Sequence, residues 1–233
     1  MYWVSVVIIA LFGCTHAPLT LDDDFSSRIG GWPTGTTIRG DEFGYVDGKY
    51  RILIKVKEGQ VAAGQIAGIP LAGRRFQTLA VEADAIQRIG PRVALHGLAC
   101  GTSRAELYFF LINLDGSYFI VRDDASTGRA DLLQTGKANV PIRSIGETNR
   151  IRAQCIGGEQ EALLILSVNG TKVAEAHGQK GKSFDRAMFV VTTLDAIGNS
   201  TRAVVPGVSK ERPGSPTAFE AEILFDNFVA RAP

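Results

Sequence analysis

The sequence predicts an all-β domain, a sandwich or a barrel, and three observations support that prediction. Several segments alternate apolar and polar residues with a period of two, as half-buried strands do; the clearest is Lys49 to Lys57. Three dipeptides typical of hairpin turns separate such segments: Asp47-Gly48, Asp115-Gly116 and Asn169-Gly170. No window of twelve or more residues shows helical periodicity. We therefore expect about ten strands in one large domain.

The strands are predicted one after another along the chain. They are Lys49–Lys57, Thr78–Arg88, Arg92–Cys100, Leu107–Leu114, Ser117–Arg122, Arg150–Ile156, Ala162–Val168, Thr171–Ala176, Ala187–Thr193, and one or two strands within Phe219–Arg231. Residues 59–75 are rich in Gly and Ala without clean periodicity, which predicts a loop. Residues 196–217 are rich in Gly, Pro, Ser and Asn, which predicts an inserted loop in a β-domain that occupies residues 22–233.

The N-terminus has the features of an export signal. Residues 1–13 carry no charge, and the run is too short to span a bilayer but has the length of the apolar region of a signal peptide. Leu11-Phe12-Gly13-Cys14 resembles a bacterial lipobox, in which the cysteine is lipidated. Cys14 would then anchor the protein through a tether, residues 14–21. A plain signal peptide or an uncleaved hydrophobic anchor are the alternatives, and anchoring predicts a place on the periplasmic or extracellular side of the membrane.

Cysteine counting agrees with export. The chain has three cysteines, and if Cys14 carries lipid, Cys100 and Cys155 can pair with none left over. Disulfides persist in the compartments that exported proteins reach. The alternative is two separate buried thiols, since free cysteines are commonly buried.

The charge balance argues against nucleic acid as a partner. The chain has 25 basic and 24 acidic residues and no basic stripe that could attract phosphates. Its three histidines are scattered and it has no Cys-x-x-Cys pair, which argues against a zinc site.

An ordered set of short segments resembles a known group of bacterial domains. The segments are Asp23-Asp24-Phe25-Ser26, Gly31-Trp32-Pro33, Gly44-Tyr45-Val46-Asp47-Gly48-Lys49-Tyr50-Arg51-Ile52, Gly97-Leu98-Ala99-Cys100, Tyr108-Phe109-Phe110-Leu111-Ile112, Asp115-Gly116-Ser117-Tyr118, Asn149-Arg150-Ile151-Arg152-Ala153-Gln154-Cys155, Val168-Asn169-Gly170-Thr171 and Leu224-Phe225-Asp226-Asn227-Phe228. They resemble the concanavalin A-like jelly-roll domains related to laminin-G and to the 3-keto-disaccharide hydrolase group. Such domains occur in bacterial lipoproteins.

The resemblance implies a two-sheet antiparallel jelly-roll sandwich with one concave sheet. It also implies a pairing of the strands that carry Cys100 and Cys155. The same scaffold hosts lectins, glucanases and plain spacers, so the resemblance leaves the function open. Glucanases of this fold carry Glu-x-Asp-x-x-Glu on one strand. Here Glu82 and Asp84 are followed by Gln87, which cannot cycle a proton, so no catalytic residue is predicted.

The predicted ligand-binding residues combine aromatic rings on neighbouring strands with polar groups, as sugar-binding faces do. They are Tyr108, Phe110, Tyr118, Arg122, Glu82 and Asp84. The alternative is that the aromatic side chains only stabilise the sheet as cross-strand pairs.

Acidic residues near the two ends of the sequence are candidate ligands of a calcium ion. Jelly-roll termini often pair, and this would bring Asp24 and Asp226 together as oxygen ligands. The alternative is a solvated acidic start and a structural Asp. No other cofactor is predicted.

Three functions are compatible with these observations. The first is a non-catalytic, surface-anchored domain that binds carbohydrate. The second is an accessory subunit that docks on a membrane-complex protein through its β-domain and its N-terminal anchor, which predicts a broad apolar patch. The third is a sugar-acting hydrolase, which requires a cleft with two converging carboxyls or a metal.

Overall fold

Two antiparallel β-sheets pack face to face in the computed structural model, which describes residues 18–58, 64–71, 73–102, 106–124, 126–180, 183–193 and 218–233. A short 3-10 helix spans Arg28–Gly30. The strands are β1 (Leu19–Asp23), β2 (Gly35–Thr36), β3 (Glu42–Val46), β4 (Lys49–Val56), β5 (Gly64–Pro70), β6 (Thr78–Ile89), β7 (Leu95–Gly101), β8 (Glu106–Ile112), β9 (Ser117–Asp124), β10 (Arg129–Lys137), β11 (Thr148–Ile156), β12 (Ala162–Val168), β13 (Thr171–Gly178), β14 (Arg186–Thr192) and β15 (Phe219–Ala232).

The sheet order confirms the predicted sandwich. Within the described residues the larger sheet runs β13-β12-β11-β6-β15-β4-β3-β2, with β1 also paired to β15, and the smaller sheet runs β10-β9-β8-β7-β14-β5. The alternation predicted for β6 is present, because Leu79, Val81 and Ala83 are fully buried between the sheets while Glu82 and Asp84 lie on the outer face. The hairpin Asn169-Gly170 has positive φ at both residues, as a type I′ turn requires.

Five strands lie where the sequence predicted none: β1, β2, β3, β5 and β10. Strand β2 has only two residues. Strand β5 lies in the predicted loop 59–75, because its glycines hide the alternation of a strand. One of them is required by packing: a Cβ at Gly68 would lie 2.1 Å from Cγ of Met188 on the neighbouring strand β14. Strand β10 is a mostly polar edge strand with a bulge, and all of β3 is half-buried. Strand β1 begins at Leu19, so the domain starts inside the predicted tether and not at residue 22.

A disulfide joins Cys100 on β7 to Cys155 on β11, with their Cα atoms 6.7 Å apart. Both residues are fully buried. The predicted disulfide is confirmed, but the two strands do not pair within one sheet. They belong to opposite sheets, so the bond crosses the core and ties the two layers of the sandwich together.

The two sheets differ in the faces that they turn away from the shared core. The smaller sheet carries a second apolar cluster there, each member at most 5% exposed: Leu95, Ala99, Leu111, Phe119, Val121, Ala130, Met188 and Val190. The larger sheet carries ion pairs instead, among them Arg51 with Glu222 and Arg150 with Glu82. The outer face of the larger sheet is therefore charged, whereas that of the smaller sheet is largely apolar.

Two predicted regions are not covered by this description. The signal or anchor of residues 1–13 and Cys14 lie outside the described residues, and so does the inserted loop 196–217. None of the helices in the described part of the chain has the length and apolarity needed to cross a membrane.

His96 on β7 is fully buried, and neither ring nitrogen has a hydrogen-bond partner within normal geometry. Burial lowers the pKa of His96 to about 4, and a contact with the Ala94 backbone opposes this shift only in part. The His96 imidazole binds a proton near pH 6.5 in the unfolded chain, but only near pH 4 in the folded chain. The free energy of unfolding should therefore fall as the pH drops through this window.

We expect His96→Leu to reduce that pH dependence by up to about 1.4 kcal/mol per pH unit. Urea denaturation at several pH values between 7 and 4 measures it. The control is His177→Leu on β13, because His177 is an exposed histidine. Parallel pH profiles for the wild type and His96→Leu would show that His96 does not titrate this way.

Candidate functional site

The structure corrects the prediction that the aromatic rings on β8 and β9 form a ligand-binding face. Tyr108, Phe110 and Tyr118 are 1%, 0% and 7% exposed and belong to the core between the sheets. Cross-strand packing, the alternative reading of these rings, is what the structure shows. The Tyr108 hydroxyl donates to Glu106 at 2.6 Å and accepts from the Gln179 backbone N–H at 3.0 Å.

The polar residues of the predicted face are also engaged, and they lie on different sheets. Arg122, on the smaller sheet, makes ion pairs with Glu106 at 3.4 Å, Asp131 at 3.4 Å and Asp124 at 3.7 Å. On the larger sheet, Arg150 contacts Glu82 at 2.8 Å and Asp84 at 3.3 Å. The predicted set is therefore not brought together into one site.

The chain termini meet as predicted, because β1 pairs with the end of β15. The two candidate calcium ligands nevertheless have other partners: Asp226 binds Lys49, and Asp24 accepts from the Ser26 backbone N–H at 3.0 Å. Hydrogen bonds from Ser26 lower the pKa of Asp24. No group of three or more His, Cys, Asp or Glu side chains suited to a metal occurs in the part of the chain that the structure describes.

A pocket of about 480 Å³ opens instead at the β2–β3 edge of the larger sheet. Its described lining combines aromatic rings, charged groups, hydroxyls and small residues: Trp32, Phe43, Tyr45, Arg28, Glu42, Arg51, Thr34, Thr36, Gly35, Gly44 and Val46. We call it the edge pocket.

Trp32 fixes one wall of the edge pocket to the core. Its indole is 4% exposed and stacks on Phe189 at 4.4 Å between ring centroids with an interplanar angle of 11°. The Tyr50 hydroxyl donates to the carbonyl of Pro33 at 2.6 Å, and the Trp32 backbone N–H donates to the Tyr45 hydroxyl at 3.3 Å. These contacts hold the loop that carries Trp32 in one position, so the wall is formed before any ligand arrives.

Glycines keep an aromatic ring of the pocket uncovered. Gly35 lies over Phe43, where an added Cβ would sit 3.4 Å from the tip of the ring, an ordinary contact distance. Gly44 has φ +151°, which L side chains rarely adopt, and an added Cβ there would lie 3.2 Å from Thr34. Phe43 and Tyr45 are both half-buried, so each presents part of its ring to the pocket.

The charges in the pocket are arranged around Glu42. This carboxylate accepts from Lys55 at 3.0 Å and from Arg51, and the hydrogen bond from Lys55 is the main cause of its lowered pKa. Arg51 also contacts Glu222 at 3.6 Å. Glu42 is therefore held in its charged form by two cations. Burial raises the pKa of Tyr45, which keeps its hydroxyl neutral.

The edge pocket is not apparent from the sequence, because no strand is predicted at Glu42–Val46. The Asp47-Gly48 dipeptide does indicate this strand, because a hairpin turn before β4 requires a paired strand on its other side, and that strand is β3. Trp32 is 4% exposed, and the same residue also lines the pocket.

Comparisons with known proteins bear on the fold. A scan against protein-family models and a search of curated proteins both found no match. Among solved structures, a Bacillus licheniformis β-glucanase is similar with a TM-score of 0.55 and 8% identity, covering 92% of this chain and 98% of that chain. A sialidase is similar with a TM-score of 0.54 and 13% identity over 91% of this chain, which spans only 18% of that protein.

A third structure, a Clostridium perfringens endo-β-galactosidase that releases GlcNAcα1-4Gal, has a TM-score of 0.53 and 8% identity, covering 91% of this chain and 61% of that chain. At these identities the likeness concerns the fold alone. It agrees with the concanavalin A-like architecture that the sequence predicted. The chain is a two-sheet antiparallel jelly-roll sandwich of the kind found in these carbohydrate-active proteins.

Proposed function

We propose that this chain is a non-catalytic domain that binds carbohydrate in the edge pocket and is anchored outside the cytoplasm by its N-terminus. One observation carries the proposal: the pocket combines the partly uncovered rings of Phe43 and Tyr45 with fixed hydrogen-bonding groups on its walls. Sugars bind to proteins through this combination, because aromatic faces pack on the apolar side of a sugar ring while polar groups meet its hydroxyls.

The state of the carboxylates favours binding over hydrolysis. Glycoside hydrolysis uses two carboxyl groups, one of which must carry a proton. Among the described residues that line the edge pocket, Glu42 is the single carboxylate, and its lowered pKa keeps it ionised. Glu82 and Asp84, the pair that resembles a glucanase motif, share the guanidinium of Arg150.

The exposed apolar surface supports carbohydrate over a protein partner. If the chain were an accessory subunit, its surface should carry a broad exposed apolar patch for the partner protein. The large hydrophobic side chains exposed in the described residues are single positions spread over several loops and strands: Ile29, Ile38, Ile66, Ile89, Val93 and Ile145. On the apolar outer face of the smaller sheet most side chains are at most 5% exposed, and only Leu107, Phe109 and Leu132 are partly buried, which leaves little apolar surface for a partner.

Closing the pocket should weaken carbohydrate binding without unfolding the protein. A leucine at position 35 would lie on the Phe43 ring and fill the pocket with little backbone strain. In a Cys14→Ser background, which avoids lipidation, we expect Gly35→Leu to weaken binding of oligosaccharides at least about 10-fold, the equivalent of 1.4 kcal/mol. A glycan array identifies the ligands, and calorimetry measures the affinities.

The control is Gln134→Leu, which adds an exposed leucine on β10 of the smaller sheet. It should bind as the wild type does, and thermal unfolding should show that both variants are folded. The proposal fails if the wild type binds no glycan at millimolar concentrations, or if Gly35→Leu binds as tightly as the wild type.

A further inference from the structure

The edge pocket lies where β3 loses its outer neighbour. Strand β2 pairs with only two residues of β3, and before β2 the chain turns into the core at Trp32. Residues 44–46 of β3 line the pocket, and within the described residues no strand pairs with them on this side. The pocket is therefore bounded in part by an open strand edge, where main-chain groups can meet a ligand.

The hydrogen bonds of the two hairpins show which main-chain groups of β3 point to this open edge. The Thr37 N–H donates to the carbonyl of Asp41 at 2.8 Å, so the main-chain groups of Asp41 face the β2 side. In an antiparallel ladder these groups alternate between the two sides of a strand, which turns those of Tyr45 to the β2 side as well. The other hairpin agrees, because Val46 pairs with Lys49 across a two-residue turn and so faces β4. The N–H and C=O of Tyr45 therefore point to the open edge.

Neither of these main-chain groups of Tyr45 has a hydrogen-bond partner in the described residues. The register of the hairpin, with Gly35 opposite Phe43, places Pro33 opposite Tyr45. Proline has no N–H that could donate to the Tyr45 carbonyl. The Pro33 carbonyl accepts instead from the Tyr50 hydroxyl at 2.6 Å. Tyr45 therefore offers one donor and one acceptor, close together on one residue, to a ligand in the pocket.

This donor–acceptor pair suits two adjacent hydroxyls of a sugar ring. One hydroxyl can accept from the N–H while its neighbour donates to the C=O, because a hydroxyl does either. An extended peptide is the other ligand that binds strand edges, but it relies on several main-chain hydrogen bonds in a row. Here the edge is open at Tyr45 alone, since Asp47-Gly48 already forms the turn to β4. The short edge therefore favours a sugar over a peptide strand.

We infer that the edge pocket recognises a sugar with two adjacent unsubstituted hydroxyls, which bond to the main-chain N–H and C=O of Tyr45. This inference rests on the proposed carbohydrate function and adds the class of ligand. The sugar ring packs beside the rings of Phe43 and Tyr45, which line the same pocket. A deoxy sugar that lacks either hydroxyl leaves one main-chain group of Tyr45 without a partner in the complex, which costs affinity.

The first test removes sugar hydroxyls one at a time. The probes are methyl glucoside, methyl galactoside and the forms of each that lack one ring hydroxyl, titrated by NMR into the isotope-labelled full chain carrying Cys14→Ser. We expect the loss of either of two adjacent hydroxyls to weaken binding about 10-fold, and the loss of the remaining one to weaken it less. Hydrogen exchange of the Tyr45 amide should be fast in the free protein and slow with the parent glycoside bound. The Val46 amide, which bonds to β4, should exchange slowly in both states.

Pro33→Ala supplies the second test, on the glycan array and with the two methyl glycosides. The new N–H can donate to the Tyr45 carbonyl and let β2 extend by pairing with it. We expect Pro33→Ala to lower the affinity for bound glycans about 10-fold. The control is Pro141→Ala, which changes an exposed proline outside the described lining of the pocket and should leave binding as it is. Thermal unfolding should show that both variants are folded.

The outcomes separate this inference from the proposed function. If glycans bind but Pro33→Ala leaves their binding unchanged, or if the Tyr45 amide exchanges at the same rate with a glycoside bound, the inference is overturned while carbohydrate binding stands. A blocked trialanine peptide that slows exchange of the Tyr45 amide more than the glycosides do would overturn it in favour of a peptide ligand. If neither glycoside and no arrayed glycan binds, both the inference and the proposed function are overturned.

Discussion

Replacing Cys100 and Cys155 together by alanine should lower the free energy of unfolding by about 4 kcal/mol. The disulfide closes a loop across a sequence separation of 55 residues, which restricts the unfolded chain and accounts for that magnitude in the chain-entropy model. It is also a covalent link between the two sheets, so its loss leaves the layers joined by packing and loops. Urea denaturation of the wild type and the double variant measures the difference.

A reducing agent provides the internal control for this prediction. Dithiothreitol should lower the stability of the wild type to roughly the level of the double variant, and it should leave the double variant unchanged. Equal stability of the wild type with and without reductant would contradict the prediction. Free thiols at both positions in protein secreted under oxidising conditions would contradict it as well.

Phe189→Ala should cost about 3–5 kcal/mol of unfolding free energy. The Phe189 ring is fully buried and lies between two stacked partners, Trp32 at 4.4 Å and Phe225 at 4.1 Å between centroids. Removing it leaves a cavity that large neighbouring rings cannot readily fill. Because Trp32 forms a wall of the edge pocket, the same substitution should weaken ligand binding.

The matched control is Phe109→Ala, which removes a half-buried phenylalanine from the outer face of the smaller sheet. Chemical denaturation should show a markedly smaller loss for it. Trp32 is the single tryptophan beyond residue 3, so its fluorescence reports the change around the indole. We expect emission at longer wavelength in folded Phe189→Ala; a spectrum and a stability equal to those of Phe109→Ala would contradict the account of the stack.

The fold could be predicted from the sequence because many strands have one apolar and one polar face. Strand β6 is the clear case, with alternate residues buried and its carboxylates outside. On β8 the pattern fails, because Leu107, Phe109 and Leu111 alternate with Tyr108 and Phe110 and both faces are apolar. Alternation then gives no indication of which face meets the core, and the aromatic rings predicted to bind a ligand lie in the core instead.

The edge pocket was harder to predict, because its parts are brought together only by tertiary structure. Arg28 lies in a single 3-10 turn and Trp32 just after it, while Glu42 and Phe43 lie on a short strand with uniform half-burial. Buried polar atoms that lack a hydrogen-bond partner in the described residues, such as Trp32 Nε1, are a property of the folded chain alone, since they depend on what every neighbouring group already binds. Sequence patterns therefore predict strands well, but they do not predict which buried polar groups lack a hydrogen-bond partner.

The position of β15 has a consequence for how this domain folds. The strand pairs with β4 and β6 in the interior of the larger sheet and also with β1, so each of its partners lies far from it in the sequence. Such pairings form only after long loops have closed, which costs conformational entropy before any contact is gained. We therefore expect the larger sheet to be completed late in folding and the domain to fold slowly compared with helical proteins of its size.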